Sequence, residues 1–295
     1  MTRQKSYPFK KIDAFAANGS SGNPAWAIYL HEKTQIDEAT MLQIAKELKG
    51  FVSEVGYVWP IGEAEFGLRY YSSEREVAFC GHATVGIMHE MIASTPQLLK
   101  QESITIHTKN DTLEVYNKIA KEDAVYITAP APKHRDSAPN INEVANALGC
   151  EESVIDNLGE ISIINGGLET LIVPIKTLDD ILGIEPDLET LNRYCKSIGV
   201  DIVILFSSNV YDSRNSYRTR VFAATFGYLE DPATGSGNSA FGYYLLKRSL
   251  WGGEPMRIEQ SKNKERYNLI RLTTKGERVL FGGGGVVKID GEYKL

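Results

Sequence analysis

The chain has 295 residues, of which 42% are hydrophobic and 24% charged, with a formal net charge of −6. These values are those of an ordinary globular protein, and the acidic balance argues against nucleic acid as a partner. No stretch approaches the roughly 18 apolar residues of a membrane span. The opening segment "MTRQKSYPFKKIDAFAANGS" lacks the apolar core of a signal peptide. Cys80, Cys150 and Cys195 are scattered and odd in number, which is no disulfide framework. The expected setting is a reducing cytoplasm.

In chain order, "GNPAWAIYL" (22–30) reads as a Gly-Asn-Pro turn entering a strand. "DEATMLQIAKELKG" (37–50) reads as an amphipathic helix closed by glycine. "FVSEVGYVWP" and "FGLRYYS" are strand-like, and "FCGHATVGIMHEMI" (79–92) turns on glycine into a second helix. The softest stretch, 128–142, has three prolines and marks a boundary. Beyond it the same order returns. "GGLETLIVPI" is turn and strand, and "DLETLNRYCKSIG" is a helix ending on Gly199. "VDIVILFS" and "SYRTRVFA" are strands, and "PATGSGNSAFGYYLLKRSL" turns on glycine into a helix. The spacing predicts two diverged copies of one α/β unit, with domains over 1–128 and 129–280. A C-terminal strand over 281–295 is expected to return to the first.

Two such units bring two glycine turns and two helix N-termini into one chain. A helix N-terminus presents N–H groups without intrahelical acceptors and about half a positive charge, so it suits an anionic ligand. Glycine there lets a ligand approach the backbone closely. The expected cleft lies between the units.

Three side chains near these turns could do chemistry. Glu54 interrupts an apolar strand, and the offset of 149 between Gly50 and Gly199 pairs it with Val203 in the second copy. A carboxylate on one wall of a pseudo-symmetric pocket suits proton transfer from one face. His82 lies just inside the first glycine turn and Asp231 just before the second. His82 and His89 lie two turns apart, roughly 10 Å along a helix, with no third ligand at suitable spacing, so no metal site is expected. "GSGNSA" (235–240) matches a dinucleotide fingerprint but follows "GYLEDPAT" rather than a buried strand, so NAD is not expected. "FGGGGVVKID" reads as a turn or bulge between two late strands.

With these residues in view, four motifs in order resemble the PhzF family of phenazine-biosynthesis-like isomerases, related in fold to diaminopimelate epimerase. They are "IDAFAANGSSGNPAWAIYL", "SEVGYV", "REVAFCGHATVG" and "EDPATGSGNSAFGYYLL". The resemblance implies an α+β fold of two pseudo-symmetric domains, each a β-barrel-like sheet around a central helix. It implies Glu54 as general acid/base, with His82 and Asp231 completing the catalytic set. Asn23, Gly81, His82, Ala83, Gly235, Ser236 and Gly237 would hold a small carboxylate-bearing substrate. It implies a homodimer with no cofactor. Where the epimerase relatives carry two catalytic cysteines, this chain has Cys80 and Thr234. Two departures stand out. Val55-Gly56 replaces Thr and a larger residue and suggests a gap beside the base. Ser261 follows Glu259-Gln260 where the family often has Gly, and no Arg-Pro-Ser segment follows. A non-catalytic carboxylate binder, or an epimerase or racemase of a small amino or hydroxy acid, are the alternatives at this point.

Overall fold

A computed structural model describes residues 5–136, 139–157 and 159–295. Residues 1–4, where the leader reading begins, and 137–138, inside the proline-rich boundary, lie outside the described residues. The chain divides into two compact units. Unit 1 holds residues up to 16, 21–127 and 282–295, and unit 2 holds 17–20 and 128–281.

Five longer helices organise the units: α1 (Glu38–Glu47), α2 (Gly81–Ser94), α3 (Ile141–Leu148), α4 (Leu188–Ile198) and α5 (Gly235–Lys247). The sequence starts and stops the outer ones. Asp37 accepts the Thr40 amide at 2.8 Å and caps α1, and Asp187 does the same for Thr190 at α4. Gly149 and Gly199 close α3 and α4 in the left-handed conformation, where no Cβ is penalised. α1 stops at Glu47, three residues before the glycine expected to end it. α3 begins at the end of the proline-rich stretch 128–142, a helix absent from the elements predicted from the sequence.

In unit 1 the sheet runs from strand Gly285–Lys294 through Ser6–Ala14, Asn23–Tyr29, Glu54–Gly62, Glu65–Ser72, Ser103–His107 and Thr112–Asn117 to Val125–Thr128. Its pairings are antiparallel, antiparallel, parallel, antiparallel, parallel, antiparallel and antiparallel. A bulge between Lys11 and Ile12 breaks the register with the C-terminal strand. α2 is buried nearly all round, from Ala83 to Glu90, and packs against four of these strands. α1 covers the outer face with Met41, Ile44 and Ala45, joining Ile28, Tyr57 and Tyr71 in one apolar cluster.

Unit 2 repeats this order. Its sheet runs from Lys133–His134 through Ser162–Asn165, Glu169–Pro174, Ile202–Ser207, Tyr217–Phe222 and Met256–Gln260 to Asn268–Lys275. The pairings again run antiparallel, antiparallel, parallel, antiparallel, parallel, antiparallel. α5 is the buried central helix, and α3 and α4 pack outside on Val203, Leu205 and Phe222. The fold is therefore α+β, two pseudo-symmetric units of the diaminopimelate epimerase-like kind.

Register corrects one equivalence. Val55 faces Tyr71, which faces Glu76, while Val203 faces Phe222, which faces Glu230. Val203 therefore corresponds to Val55, and the partner of Glu54 is Ile202. The local offset at this strand is 148 rather than 149, because the segments before it differ in length. The counterpart remains aliphatic.

The gap expected at Gly56 does not exist. A Cβ on Gly56 would lie 2.4 Å from Ile87 Cδ1, so the α2 side chain occupies that space. Gly22 does need its bare backbone: at φ +64 a Cβ would lie 2.7 Å from the Ala14 carbonyl oxygen.

Candidate active site

In unit 1, strand Glu54–Gly62 delivers Glu54 as its first residue, and the turn Phe79–Gly81 delivers Cys80 as the N-cap of α2. His82 follows in the first turn. Glu54 Oε2 lies 3.6 Å from His82 Nε2. Cys80 Sγ lies 3.5 Å from His82 Nδ1 and 3.8 Å from Nε2. All three side chains are at most partly exposed.

Burial pushes the His82 imidazole down to about 4. His82 is therefore neutral at neutral pH, and its contact with Glu54 is not an ion pair. The first amides of α2, on Gly81, His82 and Ala83, have no intrahelical acceptor; the first helical bond is Thr84 N–H to the Cys80 carbonyl, 3.0 Å. The turn is braced from within. The Thr84 hydroxyl donates to the Cys80 carbonyl at 2.7 Å, and the Tyr70 hydroxyl meets Thr84 Oγ1 at 2.6 Å.

Unit 2 builds the equivalent turn from different side chains. Thr234 is the N-cap of α5, in the place of Cys80, and Ser236 stands in the place of His82. Asn238 donates to the Thr234 carbonyl at 2.8 Å, as Thr84 does to Cys80. Asp231, opposite Val221, accepts the Ala233 amide at 3.3 Å. Burial raises its carboxyl to about 6, against the lowering effect of its bond with Thr234.

Gln260 ties this turn together. Its amide donates to the Asp231 carbonyl at 2.8 Å and to Thr234 Oγ1 at 3.3 Å. Its carbonyl accepts the Thr234 amide at 3.1 Å and the Asn238 amide at 2.8 Å. Its place in "EQS" gave no signal, because the contacts span 22 to 29 residues.

Of the residues singled out in the sequence, Glu54, Gly81, His82 and Ala83 come together in unit 1. Asn23 is buried at the start of its strand in that unit, opposite Ala14. Asp231, Gly235, Ser236 and Gly237 group in unit 2. Gly235 is bare for a different reason than ligand approach. A Cβ there would lie 2.4 Å from the Phe281 ring, so glycine is demanded by packing.

Glu54, Cys80 and His82 offer donor atoms that all lie within 4.8 Å of one another. Spacing along one helix had suggested no third ligand for His82. The strand and the N-cap supply the two it lacked. His89, two turns on, bonds Asp123 Oδ1 at 2.9 Å instead. No helix among the described residues is long and apolar enough to cross a membrane.

A family model described as phenazine biosynthesis-like protein, PhzC-PhzF, matches residues 12–291. Among similar proteins, the "Uncharacterized isomerase YddE" of Escherichia coli K12 is 26% identical, with 96% of this chain and 97% of that protein covered. The "Uncharacterized isomerase YfhB" of Bacillus subtilis is 28% identical, covering 95% and 92%. A crystal structure of a Bacillus anthracis PhzF-family protein superposes with a TM-score of 0.84 at 24% identity, covering 98% and 99%. A hydroxyproline epimerase from Agrobacterium vitis shares the fold at a TM-score of 0.60 and 13% identity, covering 100% and 94%.

Proposed function

The chain belongs to the PhzC-PhzF family of phenazine biosynthesis-like proteins, and from that premise we propose that it is an isomerase moving a proton on carbon of a small carboxylate-bearing substrate. The observation that carries the reading is the Glu54–His82 contact of 3.6 Å at the N-terminus of α2. Relatives named as isomerases along nearly their whole length support the reaction class.

Glu54 is the general base that takes a proton from carbon and returns it at another position. His82, neutral through burial, is there to hydrogen-bond the substrate without placing a cation beside the carboxylate. The amides of Gly81, His82 and Ala83 receive negative charge that develops on the substrate, fixed in place by the Thr84–Cys80 and Tyr70–Thr84 bonds. We assign Asp231 to the catalytic set, and Ser236 and the amides of Gly235–Gly237 to substrate binding. A two-cysteine racemase mechanism is disfavoured, because Thr234 stands where the second thiol would be. The reading includes a homodimer working without a cofactor in a reducing cytoplasm.

The test is proton NMR in D2O with a panel of small cyclic and amino carboxylates, including trans-2,3-dihydro-3-hydroxyanthranilate. Deuterium entering carbon, or a shifted double bond, is expected with the wild type. Glu54→Gln should slow it by about 10²–10⁴-fold, the usual worth of general acid–base catalysis. Full exchange by a folded Glu54→Gln protein would remove Glu54 from its role.

A further inference from the structure

We propose that Glu54, Cys80 and His82 form a binding site for a thiophilic divalent cation of the zinc type, and that its occupation silences the proton transfer assigned to Glu54. The inhibitory half rests on the reading of Glu54 as the base; the binding half does not.

The geometry is near that of a three-ligand site with an open fourth position. A tetrahedral zinc ion with ordinary bond lengths sets its nitrogen and oxygen ligands roughly 3.4 Å apart and its sulfur and nitrogen ligands roughly 3.6 Å apart. Here His82 Nε2 lies 3.6 Å from Glu54 Oε2 and 3.8 Å from Cys80 Sγ. The third edge, between Glu54 and Cys80, is no longer than 4.8 Å. It closes with a movement of about 1.2 Å or less, within reach of the rotamers of a glutamate at a strand end. The three donors come from two segments, and Cys80 and His82 are fixed by the first turn of a buried helix.

The donor chemistry selects the ion. Thiolate and imidazole favour zinc-like ions over magnesium or calcium, which prefer all-oxygen cages. A carboxylate and a thiolate together balance the two positive charges, and the N-terminus of α2 favours the thiolate of its N-cap. Among the described residues this is the one group of three His, Cys, Asp or Glu donors brought so close. The pseudo-symmetric positions in unit 2 are Ile202, Thr234 and Ser236, which offer no comparable set.

The consequence is direct. An ion held by the Glu54 carboxylate occupies the lone pair that would accept the substrate proton. Binding is reversible and involves no redox step.

The experiment is a cobalt(II) titration of the full chain without substrate, read by absorption. One cobalt per chain with a thiolate-to-cobalt charge-transfer band is expected, displaced by zinc. Cys80→Ser should abolish the band, and Glu54→Gln and His82→Gln should each weaken binding at least tenfold. A Cys150→Ser/Cys195→Ser protein should keep the band. Circular dichroism checks that each variant folds, and Glu54→Gln serves should Cys80→Ser fail to fold. Absence of the band, or its persistence in folded Cys80→Ser, overturns the site. Cobalt binding with deuterium exchange unaffected by zinc would keep the site and overturn its inhibitory role. Loss of exchange in Glu54→Gln with no cobalt binding would reject the site and leave the base assignment standing.

Discussion

The side-chain amide of Gln260 donates to the main-chain carbonyl of Asp231 at 2.8 Å, while its own carbonyl accepts the Thr234 amide at 3.1 Å. One buried side chain thus joins the strand end carrying a candidate acid to the first turn of α5. Gln260→Ala removes the acceptor of the Thr234 amide and the side-chain donor to the Asp231 carbonyl, each worth about 1–3 kcal/mol. Gln260→Glu keeps the shape but turns a donor into an acceptor facing the Asp231 carbonyl. Both variants should lower the denaturation midpoint. A positioning role further predicts that either variant moves the Asp231 titration, followed by carboxyl NMR. An unmoved titration would leave Gln260 a purely structural bond.

The pH dependence of stability contains two opposed slopes. Asp231 is raised to about 6 from 3.8, so the folded state holds its proton more tightly, and stability falls as pH rises through that window. His82 is lowered to about 4 from 6.5, so the unfolded state binds its proton more tightly, and stability rises with pH through nearly the same window. The two should largely offset between about pH 4 and 6. Relative to the wild type, Asp231→Asn should make stability rise more steeply with pH, and His82→Gln should make it fall. Urea midpoints measured at intervals across the window check the signs.

Gly235→Ala should destabilise the protein by about 1–3 kcal/mol, the usual range for overpacking, because its methyl meets the Phe281 ring. Phe281→Leu in the same chain should recover part of that loss, although Phe281→Leu alone is destabilising. If Gly235 instead served only ligand approach, Gly235→Ala would weaken ligand binding with the melting temperature unchanged. Thermal melts of the two single variants and the double variant form the cycle that separates these.

Glu259 and Arg218 form an ion pair of 2.8 Å with both side chains fully buried. Glu259 also accepts from the Asp212 amide and the Asn215 side chain, each at 2.8 Å. Glu259→Gln should cost about 3–5 kcal/mol, since it leaves the Arg218 charge buried with its counter-ion gone. Loss of well under 1 kcal/mol in equilibrium unfolding would show that Arg218 is held by the Ser261, Asn263 and Lys264 carbonyls alone.

Local signals in the chain determined much of this protein. Apolar periodicity and caps such as Asp187 and Gly199 specify the amphipathic helices, because those preferences act over three or four residues. The repeated order of glycine turns and strands announced the duplication, and the four motifs announced the family. Glu54, His82 and Asp231 were visible as polar residues at turns or in apolar surroundings. What only the tertiary structure decided depends on residues distant in the chain. Ile202 opposite Glu54 in the pseudo-symmetry follows from strand register, which loop lengths conceal. Gly56 and Gly235 are bare because Ile87 and Phe281 fill the space above them. Gln260 reaches its partners, and Glu54 reaches His82, only after strand and helix pack, since side-chain donors meet through space rather than through sequence.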